Sequence, residues 1–278
     1  MPRTKAQFAK TNDISIAYRS VGTQLAASSV DSAMIAAACG AETEFMMALG
    51  DPSMGTSAVL VDLRGTGGSD KPDDVQQYTI GSYTQDMFSV AESIGATNPT
   101  LLGYSHFAAV AAQAALSEPS RVSALILVEP AFFIDKEVYE RRIRALEQGD
   151  MEGALRMTFK FANPKISEQQ LSRGVKVAMD YYGNNPASLL GEFRARANSD
   201  LTEARLGEIR VPTLVIGGTK SNLASNVART ARSIPNASMV WIPGADHFLM
   251  DHDNQVARVI SAFLGLAKNN KSTSTKGK

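Results

Sequence analysis

The chain has 278 residues, of which 44% are apolar and 20% charged, a composition typical of a protein with a packed core. Its 28 Lys and Arg residues balance its 28 Asp and Glu residues, so we expect neither a nucleic acid nor a membrane as a partner. One cysteine, a polar N-terminal stretch and the absence of a long apolar run predict a cytoplasmic protein without internal disulfides.

Seven short apolar runs bounded by turn residues are typical of strands buried on both faces of a parallel sheet. In chain order they lie at 14–18, 33–39, 58–63, 100–104, 124–128, 213–217 and 238–242. Stretches with helical periodicity accompany them at 83–94, 106–117, 223–233 and 254–266. This alternation predicts the α/β class, with a mainly parallel sheet and helices on both of its faces.

The alternation stops between residues 132 and 206, where only helical periodicity occurs. We therefore predict a helical cap at 132–206, inserted into a core formed by 1–131 and 207–268. The end of the chain, 269–278, is polar, basic and low in complexity, and is predicted to be a disordered tail.

A candidate nucleophile, Ser105, lies at the joint between a predicted strand and a predicted helix, in the stretch GYSHF. Such a turn exposes the hydroxyl at the carboxyl edge of the sheet, where open α/β sheets bind ligands. Phe107 stands where a small residue is usual, so the helix must accommodate its ring. Because a serine in this place is also a common helix cap, the stretch alone leaves the role of Ser105 open.

Four further segments, together with GYSHF, resemble the α/β-hydrolase family in order and spacing. They are DLRGTGGSDKP at 62–72, RVSALILVEPA at 121–131, VPTLVIGG at 211–218 and IPGADHFLMDH at 242–252. The resemblance implies the α/β-hydrolase fold and a serine hydrolase that uses no cofactor. Within it, the glycine-rich residues 65–68 resemble a structural turn rather than a nucleotide-binding loop.

The resemblance implies that His247 is the base that activates Ser105, with a carboxylate orienting the imidazole. Most relatives carry this acid after the strand VPTLVIGG, yet no Asp or Glu occurs between Glu208 and Asp246. Glu129, after the strand at 124–128, takes a position that resembles the acid of fungal zearalenone lactonases and of some haloalkane dehalogenases. The alternative for Glu129 is an ion pair with a cap arginine, Arg141 or Arg144.

The oxyanion hole is expected to use backbone N–H groups. One belongs to His106, at the predicted helix start, with its side chain directed away from the serine hydroxyl. The other belongs to Ala41, or to Gly40, where the family carries its His-Gly stretch. The neighbouring Cys39 is expected to be a small buried strand residue rather than a nucleophile. Three scattered histidines without suitable cysteine or carboxylate spacing predict no metal site.

The cap is rich in aromatic residues and methionine, which favours a medium-sized apolar ester or lactone over a charged substrate. The residues predicted to line the substrate pocket are Phe132, Phe133, Met157, Phe161 and Tyr181. The expected reaction is hydrolysis through an acyl-enzyme. Two other functions stay open: a cofactor-independent dioxygenase or lyase using the histidine and its acid, and a non-catalytic ligand sensor. A homodimer is also left open.

Overall fold

The computed structural model describes residues 5–12, 14–22, 33–38, 48, 57–249 and 251–274. Its strands form one sheet in the order β1-β2-β4-β3-β5-β6-β7-β8. They are β1 (Gln7–Thr11), β2 (Ile14–Gly22), β3 (Met34–Ala37), β4 (Ser57–Val61), β5 (Thr100–Tyr104), β6 (Ala124–Val128), β7 (Thr213–Gly218) and β8 (Ala237–Ile242).

The sheet is parallel from β4 to β8, and its first two pairings, β1 with β2 and β2 with β4, are antiparallel. The prediction of a mainly parallel sheet is thereby confirmed. Strand β1 was not predicted, because QFAKT contains only two apolar residues, Phe8 and Ala9, which is too short an apolar pattern to indicate a strand. Its exposed face carries Phe8, which is 55% exposed.

Helices cover both faces of the sheet. One face packs on α1 (Ile80–Ile94), α2 (Phe107–Ser117) and α8 (Ala224–Ser233), through strand residues such as Ile35, Leu101 and Leu125. Alternate strand residues, among them Met34 and Leu102, pack on the other face against α9 (Asp253–Ser274). The period of two along each strand therefore divides the core into two layers.

The segment between β6 and β7 holds five helices, and none of its described residues is in a strand. These are α3 (Lys136–Glu147), α4 (Met151–Ala162), α5 (Glu168–Tyr181), α6 (Pro186–Ala197) and α7 (Glu203–Leu206). Helices α3 to α6 enclose an apolar cluster of their own that includes Leu155, Leu171 and Phe193.

The last helix extends further than the sequence analysis predicted. Helix α9 runs through Ser274, so residues 269–274 are helical rather than a disordered tail. No glycine or proline interrupts the chain between Gly265 and Gly277, which allows the helix to continue. Residues 275–278 lie outside the described part. Within that part, no helix is both long and apolar enough to cross a membrane.

Candidate active site

Ser105 follows β5 directly and lies on a sharp turn with a backbone φ of 54°. The turn brings α2 close against the strand that precedes it. A Cβ added to Gly103 would lie 2.3 Å from the carbonyl oxygen of Phe107 and 2.6 Å from Cα of Ala108. Glycine at 103 is therefore required by the close approach of two backbone segments. Ser105 in turn donates its N–H to the Val128 carbonyl at 2.8 Å.

The ring of Phe107 fits beside this turn without displacing the serine. Phe107 is only 1% exposed and meets Tyr83 edge to face, with 6.4 Å between ring centroids. Six of the other ten residues of α2 are alanines, and all six are buried. A large residue at 107 is thus compatible with this fold.

His247 lies in the loop after β8 and contacts Ser105. Its Nε2 is 3.0 Å from Oγ of Ser105, and its Nδ1 is 2.9 Å from Oε2 of Glu129. Tyr104 donates its hydroxyl to the His247 carbonyl at 2.6 Å, so the nucleophile strand also fixes the histidine loop. The structure brings together the three residues predicted from sequence, in the order hydroxyl, imidazole, carboxylate.

Glu129 is fully buried and lies just after β6, with a left-handed backbone φ of 49°. Its Oε1 accepts the N–H of Gly218 at 2.5 Å, and its Oε2 accepts the hydroxyl of Ser221 at 2.6 Å. The alternative ion pair with Arg141 or Arg144 is not formed: Arg141 pairs with Glu137 on its own helix at 3.1 Å, and among the described residues Glu129 pairs only with His247. Hydrogen bonds rather than a cation therefore hold this buried carboxylate.

Ser221 is a residue of the site that the sequence analysis missed. It lies in the loop after β7, the place at which the resemblance implied an acid, and it reaches the acid of the neighbouring strand instead. Its Oγ also accepts the N–H of Leu223 at 3.1 Å, which orients the hydroxyl towards Glu129. The sequence did contain an indication of this role, because Ser221 is one of the three polar residues at 220–222 in the loop after β7, where the expected acid is absent.

A second polar cluster connects the cap to the residue after the nucleophile. Nε2 of His106 lies 3.1 Å from Oε1 of Glu192 on α6, and Tyr182 donates its hydroxyl to the other oxygen at 2.6 Å. Arg196, one turn further along α6, also binds Glu192. Burial, together with the charges of Arg196 and His247, holds the pKa of His106 well below its usual range. His106 is therefore neutral at neutral pH.

A cavity of about 90 Å³ adjoins Ser105, His106 and His247. Helices α4 and α6 each line it with one face, and Ala178, Tyr182 and Phe248 complete the lining. The residues of these two faces are Leu155, Thr158, Phe159 and Ala162 on α4, and Leu189, Glu192, Phe193 and Arg196 on α6. Both sets follow the spacing i, i+3, i+4, i+7, which places each set on one face of its helix.

The five residues predicted to line the pocket are not among the described residues that line this cavity. Met157 and Phe161 lie off the lining face of α4, because helical periodicity turns them to other sides. The Tyr181 hydroxyl donates to the Ala38 carbonyl at 3.0 Å instead. Phe132 and Phe133 pack against the sheet core.

The remaining site predictions concern the oxyanion hole and metals. His106 immediately precedes α2, as expected for an oxyanion donor. Gly40 and Ala41, the candidates for the second donor, lie outside the described residues, as does Cys39. No cluster of three potential metal ligands occurs among the residues that the structure describes.

The glycine-rich turn at 65–68 makes contacts within the protein. The N–H of Gly68 donates to Asp62 at 2.9 Å, and a Cβ on Gly67 would meet the same carboxylate at 2.2 Å.

Comparisons with known proteins agree with this fold. The sequence profile described as "Alpha/beta hydrolase family" matches residues 41–259. A 2-(acetamidomethylene)succinate hydrolase of Mesorhizobium japonicum is 25% identical over 223 residues, which cover 75% of this chain and 78% of the relative.

Two solved structures share the fold. An enol-lactonase of Burkholderia xenovorans superposes with a TM-score of 0.78 at 18% identity, over 93% of this chain and 100% of the other. An esterase of Exiguobacterium antarcticum superposes with a TM-score of 0.77 at 19% identity, over 94% of this chain and 100% of the other.

Proposed function

Because this chain belongs to the Alpha/beta hydrolase family, we propose that it is a serine hydrolase that cleaves a carboxylic ester or lactone through an acyl-enzyme at Ser105. The observation that carries the proposal is the continuous hydrogen-bonded chain from Ser105 through His247 to Glu129, with distances of 3.0 and 2.9 Å. A serine hydroxyl becomes nucleophilic when an adjacent base takes its proton, and this chain supplies the base and its orienting acid.

The proposed mechanism begins when Nε2 of His247 accepts the Ser105 proton as Oγ attacks the substrate carbonyl. Glu129 keeps Nδ1 protonated and stabilises the imidazolium that forms. The His106 N–H, at the start of α2, stabilises the oxyanion, with Ala41 or Gly40 as the proposed second donor. The imidazolium then protonates the leaving alcohol, and a water activated by His247 hydrolyses the acyl-enzyme.

The size of the cavity limits the part of the substrate that is bound beside Ser105. At about 90 Å³ it is much smaller than the roughly 300–1,000 Å³ of sites that enclose drug-sized ligands. We therefore expect an acyl portion of only a few atoms. A medium-sized substrate extends beyond this cavity.

The experiment that tests the proposal is intact-mass analysis after treatment with a serine-directed fluorophosphonate. We expect one adduct on the native chain, none on Ser105→Ala, and slowed labelling of Glu129→Gln. If the folded native chain forms no adduct, Ser105 is not an activated nucleophile and the proposal fails. Oxygen uptake with aromatic hydroxyketones would then test the dioxygenase alternative, and ligand-dependent partner binding without turnover would test the sensor.

A further inference from the structure

Arg142 is a buried cation for which the described part of the chain provides no counterion. It lies on α3, is 3% exposed, and forms no hydrogen bond or ion pair with any described residue; its Nε is buried without an acceptor. Its guanidinium carbon instead lies against three aromatic rings, 5.1 Å from the centroid of Phe161, 5.7 Å from Phe193 and 5.9 Å from Tyr139. Aromatic faces stabilise a cation without neutralising it.

Arg196 brings a second guanidinium to the same ring and to the cavity. Its guanidinium carbon is 5.2 Å from the centroid of Phe193, and the residue lines the cavity beside Ser105. Arg196 binds Glu192 through one terminal nitrogen, whereas its Nε is buried with no acceptor in the described part of the chain. Glu192 is already shared with His106 and Tyr182. One carboxylate therefore serves a region that contains two arginines.

The described residues of this region carry a net positive charge. Burial, followed by the charge of Arg196, lowers the pKa of Arg142 to about 10, so its guanidinium remains protonated at neutral pH. His106 is neutral, as described above. The described residues of the cluster thus carry two positive charges and one negative charge. Such an uncompensated buried charge disfavours the folded protein unless an anion approaches it.

From this arrangement we infer that the cavity binds a substrate carboxylate at Arg196, with Arg142 contributing the second positive charge. A guanidinium recognises a carboxylate through paired, charge-assisted hydrogen bonds. The inference rests on the proposed hydrolysis at Ser105 and gives it a substrate class, an ester that also carries a free carboxylate. This substrate class differs from the apolar one that the aromatic composition of the cap favoured, because two arginines lie at or near the cavity and a carboxylate complements their charge.

The test compares paired substrates that differ only in the second carboxyl group. Each pair is a 4-nitrophenyl half-ester of succinate or adipate and its methyl-capped counterpart, with Ser105→Ala as the blank for spontaneous hydrolysis. We expect the native chain to favour the half-ester by roughly 10- to 100-fold in kcat/KM, the range of one charge-assisted hydrogen bond. In Arg142→Met this ratio is expected to fall severalfold, because the bound carboxylate loses one of two nearby positive charges while Arg196 remains. The adjacent Arg141→Gln is the matched control, because Arg141 is exposed and pairs with Glu137.

A second measurement does not depend on turnover. At constant ionic strength, sodium succinate is expected to raise the unfolding temperature of the native chain and of Ser105→Ala, and to raise that of Arg142→Met by less. Without succinate, Arg142→Met is expected to unfold no lower than the native chain, since it removes an uncompensated buried charge. A purely structural arginine would give the opposite result. Stabilisation by inorganic phosphate but not by succinate would overturn the assignment to a carboxylate.

The outcomes separate the two proposals. Equal hydrolysis of both members of each pair would overturn the anion site and leave the serine hydrolase standing. Hydrolysis of neither, with stabilisation by succinate, would overturn the proposed reaction and leave the anion site. Hydrolysis of neither without stabilisation would overturn both.

Discussion

The hydroxyl oxygen of Ser221 lies 2.6 Å from Oε2 of Glu129, the same oxygen that lies 2.9 Å from Nδ1 of His247. The loop after β7 thus supports the carboxylate that follows β6. The segments that follow three neighbouring strands, β6, β7 and β8, carry the proposed acid, its hydrogen-bond donor and the proposed base, and the proposed nucleophile follows β5.

Replacing Ser221 by alanine is expected to lower kcat roughly tenfold, because Glu129 loses one hydrogen bond to its charged carboxylate. Turnover should be measured per serine titrated with fluorophosphonate, so that misfolded protein is not counted. Ser233→Ala is the control, since its hydroxyl binds only the Arg229 carbonyl among described residues. If Ser221→Ala lowers the folded fraction but leaves kcat per active site unchanged, Ser221 has only a structural role.

The exchange of Glu129 for glutamine keeps the shape of the side chain and removes its charge. An amide in this position stabilises the imidazolium of His247 poorly and is able to favour the wrong tautomer, so we expect kcat to fall by roughly 10³- to 10⁴-fold. Steady-state kinetics on a 4-nitrophenyl ester measures this change. Full activity in this variant would show that the acid is elsewhere.

The lowered pKa of His106 predicts a dependence of stability on pH. Burial holds this pKa well below the usual 6.5, so the unfolded chain binds a proton more readily than the folded chain does. The stability from the neutral folded imidazole is thus present above about pH 6.5 and is lost as the pH falls.

We expect the unfolding temperature of the native chain to fall more between pH 7.5 and 5 than that of His106→Gln. The control is His252→Gln, which replaces a second histidine. His252 is half-buried just before α9, and its carbonyl accepts the N–H groups of Gln255 and Val256. Parallel pH curves for the native chain and His106→Gln would contradict the assignment.

Alanine at position 103 should disrupt the nucleophile turn. The new methyl group would overlap the backbone of α2, which is unable to move as a side chain would, and we expect a loss of about 2–4 kcal/mol in the free energy of unfolding. Gly265→Ala is the matched control, because its added Cβ meets nothing within 4 Å beyond its chain neighbours and the adjacent backbone of its own helix, and the change is expected to stabilise the helix slightly. Chemical denaturation measures both. Equal stabilities would show that the turn tolerates a side chain.

The sequence alone predicts those features of the fold that depend on local patterns of apolar residues. Alternating strands and helices predict a parallel sheet, and the carboxyl ends of neighbouring parallel strands share one edge. In the sheet order that the family resemblance implies, the strand before Glu129 neighbours the strand before Ser105, so these two residues were expected to lie near each other. His247 also required the resemblance, since nothing local distinguishes a catalytic histidine from a surface one.

Other features depend on tertiary packing. An amphipathic cap helix has one apolar face, but the spacing of its apolar residues alone does not determine whether that face meets a cavity or another helix. This is why Met157 and Phe161 were predicted to line the pocket, whereas Thr158 and Phe159 do so. Strand β1 was missed because its polar residues are stabilised by pairing with β2, which is a non-local contact.

The position of β8 has a consequence for how activity is lost. Among the described strands β8 pairs only with β7, so the loop that carries His247 follows an edge strand, whereas Ser105 follows an interior one. Edge elements open locally at a lower free-energy cost than the centre of a sheet. The hydrogen bond from the Tyr104 hydroxyl to the His247 carbonyl thus connects interior strand β5 to the loop that follows edge strand β8. As denaturant concentration rises, activity should be lost before the chain unfolds globally. The difference between the two midpoint concentrations then reports how strongly this hydrogen bond holds the His247 loop.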